Sequence, residues 1–236
     1  MATPLLQISD LHTWYGESHI LHGVDLTVHE GEVVTLLGRN GAGRTTTLRA
    51  IMGLAGTRKG SIKVRGAETI DLPTHRIARL GLGYCPEERG IFSSLSAYEN
   101  LILPPRLKGT DGGMSIEQIY DMFPNLKERA RSPGTRLSGG EQQMLAMARI
   151  LRTGARLLLL DEISEGLAPV IVQKLATMIQ ALKQQGFTIV LVEQNFRFAA
   201  PLADRFYVME HGRIVRQFAH SELQDNLGML QEYLGV

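Results

Sequence analysis

The run VVTLLGRNGAGRTTTLRAI, Val33 to Ile51, constrains the fold more than any other stretch. Val33 to Leu37 form a short, almost wholly apolar segment, as expected of a strand buried on both faces of a parallel sheet. Glycines follow at 38, 41 and 43, and then Leu48, Ile51, Met52 and Leu54 recur at helical spacing. Gly53 and Gly56 are stop signals for that helix. A strand passing through a glycine-rich turn into a helix is the unit of an α/β domain, with the turn at the carboxyl edge of the sheet.

The rest of the chain fits that frame. LLQISDL and GVDLTVHEGEVV alternate apolar and polar residues as strands, and GSIKVRG reads as a further exposed strand between glycines. From Pro86 to Arg152 the strand signals fade. SIEQIYDMFPNLKERA reads as one helix and GGEQQMLAMARILRTG as another, with Met144, Ala148 and Leu151 on one face. RLLLLDE and FTIVLVEQ return as buried strands around the helix PVIVQKLATMIQALKQQG, which Gly186 ends. RFYVMEHGRIVRQF is a hairpin about His211-Gly212. SELQDNLGMLQEYLGV is a final helix opened by a serine cap. The expected organisation is one α/β domain, with 1–85 and 153–236 as core and β layer and 86–152 as an inserted helical lobe.

The glycine turn has a chemical reading. Phosphate oxygens need many converging donors, and glycines let backbone N–H groups approach while the following helix N-terminus adds positive potential. Gly38, Arg39, Asn40, Gly41, Ala42, Gly43, Arg44, Thr45 and Thr46 follow the phosphate-loop pattern G-x-x-x-x-G-K-[ST], except that Arg44 replaces lysine. Arginine keeps the charge but offers a planar fork instead of a compact ammonium. By itself the segment could also be a glycine-rich turn. Thr45 is a hydroxyl donor for Mg²⁺. A second piece, RLLLLDEIS, puts Asp161 and Glu162 at a strand's carboxyl edge, where Asp161 would serve Mg²⁺ and Glu162 would orient or deprotonate water. Two solvated acids at a strand end are the plainer alternative.

A third piece joins them. In LSGGEQQ, Leu137, Ser138, Gly139, Gly140 and Glu141 open a helix with a second anion-binding end. Together with the two earlier motifs, in this order, LSGGEQQ resembles the signature of the ATP-binding cassette (ABC) family. The resemblance runs over essentially the whole chain. It implies a P-loop NTPase-type parallel sheet core with an antiparallel β layer and an inserted helical subdomain. It also implies two cassettes meeting head to tail, each ATP held between the phosphate loop of one and the signature of the other. Tyr15, in WYG, resembles the adenine-stacking aromatic, although Trp14 or Tyr15 could instead fill the core. SEGLAP, Ser164 to Pro169, resembles the loop that crosses the dimer seam.

Glu87 stands where most cassettes carry a metal-facing glutamine, and Gln194 where most carry a histidine at the γ-phosphate. With IMGL, YENL and SEGLAP these resemble an ATPase subunit of bacterial branched-chain amino-acid importers. The resemblance implies ATP and Mg²⁺ as cofactors and a similar but distinct second ATPase subunit. It also implies integral membrane permeases, an indirect periplasmic binding protein, and a place on the cytoplasmic face of the membrane. Ile163 departs from the family's usual proline, and Arg44 from its lysine. Arg44 leaves a regulatory cassette that binds ATP but turns it over little as the alternative, against which Glu162 argues.

Composition closes off other classes. A formal net charge of +1 offers no nucleic-acid footprint, and the span from Arg44 to Ser138 is too short for the long coiled coil of DNA-repair cassettes. One cysteine, Cys85, rules out a disulfide framework. No apolar run approaches the length of a bilayer, and MATPLLQISDLHTWYG lacks the features of a signal peptide.

Overall fold

The computed structural model describes residues 4–107 and 112–234. The order is β1 (Leu6–Tyr15), β2 (Ser18–Val28), β3 (Val33–Leu37), α1 (Arg44–Ile51), β4 (Thr57–Val64), β5 (Ala67–Glu68), α2 (Thr74–Ala78) and β6 (Leu82–Cys85). The helices α3 (Ala97–Ile102), α4 (Ile116–Met122), α5 (Pro124–Glu128) and α6 (Gly139–Thr153) follow. Then come β7 (Leu157–Asp161), α7 (Pro169–Gln184), β8 (Thr188–Glu193), α8 (Phe196–Ala199), β9 (Arg205–Glu210), β10 (Arg213–Ala219) and α9 (Leu223–Leu234).

Two sheets are stacked. The larger has the order β10-β9-β3-β8-β7-β6, parallel from β9 to β6 with β10 antiparallel at the edge. The smaller is antiparallel, β2-β1-β4-β5. The apolar runs are continuous because the central strands feed two cores with alternate residues. Val34, Leu36, Leu157, Leu159, Val190 and Val192 pack toward the antiparallel layer and α1. Val33, Leu37, Leu158, Leu160, Ile189 and Leu191 pack toward the helices on the other face. Arg205 ties the layers at the edge. Its guanidinium grips Glu32 through Nε and Nη2 at 2.8 and 2.9 Å, and also donates to the Thr27 carbonyl.

Four expectations are corrected. SIEQIYDMFPNLKERA is two helices rather than one, because Pro124 has no N–H to continue the ladder and restricts Phe123, whose φ of −129° and ψ of 71° mark the break. Ser221 does not cap the last helix. It lies in a 3₁₀ turn, His220–Glu222, held by the Glu222 carboxylate accepting from the Ala219 N–H at 2.8 Å. The strand in GSIKVRG is not exposed throughout, since Ile62 and Val64 point into the core beneath the antiparallel sheet. Trp14 does not fill the core either; it lies on the outer face of that sheet, stacked on His19. Cys85 is wholly buried, and burial pushes its thiol up to about 12, so it is an inert core residue.

Candidate active site

The turn after β3 lies at the carboxyl edge of the parallel sheet, where β8 is the next strand and β7 the one beyond it. Gly41 and Gly43 have φ of 81° and 108°, left-handed conformations that a side chain would strain. Gly43 is the residue before the first turn of α1, and a Cβ there would meet Leu21 Cδ2 at 2.8 Å. Gly38 is needed for another reason: a Cβ would sit 2.5 Å from the Met209 carbonyl oxygen in β9. Gly38→Ala is therefore expected to push the loop off β9 and cost about 1–3 kcal/mol. Thermal melting checks this, and an unchanged midpoint would refute the close-approach explanation.

A pocket of about 410 Å³ is lined by Tyr15, Ile20, Asn40, Gly41, Gly43, Arg44, Thr45, Thr46, Glu87, Glu162 and Glu165. Gly38, Arg39 and Ala42 are not part of its lining. Arg39 instead turns its guanidinium outward to the Glu232 carbonyl of α9, at 3.1 Å. Tyr15 is 39% exposed, free to face a ligand.

Arg44 is the most constrained side chain in the pocket, only 3% exposed. Its Nη2 donates to Asn40 Oδ1 at 3.0 Å and to Glu162 Oε1 at 2.5 Å. Its Nη1 is buried with no partner. A buried guanidinium nitrogen without an acceptor is costly, and it suits a ligand oxygen arriving in the pocket. Glu162 has φ of 48°, a strained conformation for a residue with a side chain, at the point where β7 ends. Burial, aided by Glu165, lifts its carboxyl to about 7 in spite of Arg44. Asp161 is fully buried and accepts from the Thr45 hydroxyl and the Tyr84 hydroxyl, both at 3.0 Å. Burial outweighs those bonds and lifts Asp161 above the usual carboxylate range. Carboxylate oxygens of Glu87, Glu162 and Glu165 lie within 4.8 Å of one another.

Gln194 is exposed and lines a neighbouring cavity of about 790 Å³, which shares Glu162 and Glu165 with the first. Leu137 to Glu141 lie outside both linings. There Ser138 and Glu141 form a reciprocal cap at the start of α6, with Ser138 N–H donating to the Glu141 carboxylate at 2.7 Å.

The chain matches the ABC transporter family over residues 21–165. It is also 41% identical, over 98% of its length and 100% of the relative's, to the high-affinity branched-chain amino acid transport ATP-binding protein BraG of Pseudomonas aeruginosa. The chain belongs to the ABC transporter family. It is an ATPase of that family. This cassette is also 32% identical to the lipopolysaccharide export system ATP-binding protein LptB of Escherichia coli strain K12, over 100% of the chain and 98% of that protein. A solved ATP-binding subunit of an ABC transporter superposes with a TM-score of 0.82 at 26% identity, covering 98% of this chain and 100% of that one. Cassettes of this family bind ATP, dimerise and work with membrane permease subunits. In this cassette no described helix is long and apolar enough to cross a membrane.

Sequence reasoning missed Glu193, the last residue of β8. It is 2% exposed and accepts from both the N–H and the hydroxyl of Ser164, at 3.0 and 2.9 Å. Burial lifts it to about 7 although those bonds favour its charge. It ties the segment after Glu162 to the strand that leads into Gln194. A glutamate at the end of an otherwise apolar strand was the only available signal. Tyr84 was missed as well, being one aromatic in a four-residue strand.

Proposed function

We propose that this cassette is the ATP-hydrolysing subunit of an importer for branched-chain amino acids. The full-length 41% identity to BraG carries this reading, and Glu87 and Gln194 in the positions described support it. The relation to an export ATPase at 32% is weaker over a similar span.

In this reading the amides from Gly38 to Thr46 and the free Nη1 of Arg44 receive the phosphates, while Tyr15 stacks on adenine. Thr45 and Asp161, oxygen donors already 3.0 Å apart, fit Mg²⁺, with Glu87 near the same pocket. Bound there, Mg²⁺ would offset charge on the terminal phosphates. Glu162 takes up the proton of the attacking water, and Gln194 donates a hydrogen bond to the γ-phosphate. The signature of a second, similar but distinct subunit closes this site, and Leu137 to Glu141 of this chain close the partner's. The segment 86–152 serves as the lobe that meets the permease. The exposed Leu54, Phe92, Tyr98, Ile102 and Leu103 supply an apolar surface for a permease helix around the Glu87 loop. The periplasmic binding protein acts only through the permeases, and the complex holds this subunit on the cytoplasmic face.

The test is copurification with the permeases followed by ATPase assay in membranes. Leucine, isoleucine or valine with the binding protein should stimulate turnover. Stimulation by a lipid substrate instead would move the assignment to export.

A pH dependence follows. Glu162 works deprotonated, and in the free protein it faces Glu165, Glu87 and Arg44 with a value of about 7. kcat/KM for ATP should therefore rise as pH climbs through that value and level off above it. Glu193 has a similar value, so Glu193→Gln is the control and should keep the same rising limb. A flat profile between about pH 6 and 8 would exclude Glu162 as the titrating group.

A further inference from the structure

The outer face of the antiparallel sheet carries a cluster of imidazoles that the nucleotide site does not use. The register pairs His12 of β1 with His22 of β2, and Trp14 with His19. His12 Nδ1 lies 3.1 Å from His19 Nε2. The other ring nitrogen of His12 lies 3.1 Å from Asp10 Oδ1. The rings of His19 and His22 have centroids 4.0 Å apart, inclined by 52°. The Trp14 ring stacks on His19 at 4.2 Å.

These contacts define which atoms are free. An ionised Asp10 can only accept, so His12 Nε2 carries the proton and Nδ1 presents its lone pair toward His19. A carboxylate behind an imidazole is the arrangement that orients a histidine for a metal ion. Two imidazole nitrogens 3.1 Å apart, each about 2.0–2.1 Å from a shared ion, subtend roughly 95–100° at it. That angle lies between square-planar and tetrahedral coordination.

The backbone supports the same geometry. Asp10 has φ of 49°, and around it the pairing of β1 slips against both β2 and β4. Such a bulge re-aims a side chain. Across from it, a Cβ on Gly23 would lie 3.0 Å from Asp10 Oδ1 and 3.6 Å from His12 Nε2, so glycine leaves room for the pair.

We propose that His12 and His19, oriented by Asp10, bind a divalent transition-metal ion of the zinc and nickel class. Hard magnesium prefers oxygen ligands and is not the ion for this site. An ion here cross-links β1 to β2 next to Tyr15, and so braces the hairpin that lines the nucleotide pocket.

Trp14 is the only tryptophan in the chain, and its contact with His19 makes its fluorescence a direct reporter. The full chain, made without a polyhistidine tag, is titrated with Ni²⁺ by fluorescence and with Zn²⁺ by calorimetry at about pH 7.5, where neutral imidazole predominates. We expect saturable one-to-one binding with quenching, weakened about ten-fold or more by His12→Ala and by His19→Ala. Zinc should also raise the melting temperature of the wild-type chain but not that of His12→Ala. His12→Gln serves as the milder variant if alanine disturbs the sheet. Absence of saturable binding, or binding and melting shifts unchanged in these variants, overturns the proposal.

Discussion

Glu162→Gln is expected to lower ATP turnover by about 10²–10⁴-fold, the usual contribution of a positioned proton acceptor. Glutamine keeps the length of the side chain and can still accept from Arg44 Nη2, so the strained exit of β7 should hold. It cannot take a proton from water. It also removes the negative partner of a guanidinium that is only 3% exposed, leaving Arg44 to seek the next anion available. Nucleotide affinity should therefore rise while hydrolysis falls. Steady-state ATPase and fluorescent-nucleotide binding measure the two separately. A loss below about ten-fold would mean that another group accepts the proton.

The second large effect concerns Arg44. While Glu162 Oε1 accepts from Arg44 Nη2 at 2.5 Å, the guanidinium stabilises the carboxylate's charge and makes it a weaker base toward the attacking water. Drawing the guanidinium toward the phosphates of ATP would release that restraint. A hydrogen bond to a charged group contributes about 1.5–3 kcal/mol, which corresponds to roughly ten- to hundred-fold in rate if all of it has to be given up. Lysine has a single compact ammonium and no fork to share between Asn40 and Glu162. Arg44→Lys should thus raise turnover by several-fold up to about ten-fold, within that bound. Arg44→Ala should instead weaken nucleotide binding, because the buried charge that meets the phosphates is gone. Equal rates for the wild type and Arg44→Lys would show that the Arg44–Glu162 contact does not limit hydrolysis.

Particular elements show how much was legible beforehand. The parallel strands were plain in VVTLL, LLLLD and TIVLVE, because burial on both faces demands apolar residues without interruption. The glycine turn was plain because positive φ and close approach exclude most side chains. Short elements were not legible. α2 and β5 are too brief for a period to register, and the break at Phe123 depended on weighing Pro124 against an otherwise helical pattern.

Motif chemistry therefore follows from local order along the chain: the phosphate turn, the paired acids and the serine-capped signature each need only neighbours a few residues apart. What the residues do to one another did not follow. Arg44 and Glu162 are 118 positions apart and meet only because β3 and β7 flank β8. The grip of Glu193 on Ser164 and the meeting of His12 with His19 likewise depend on strand register and burial. Periodicity reports which face a residue occupies, whereas a charge finds its partner only once the sheets are stacked.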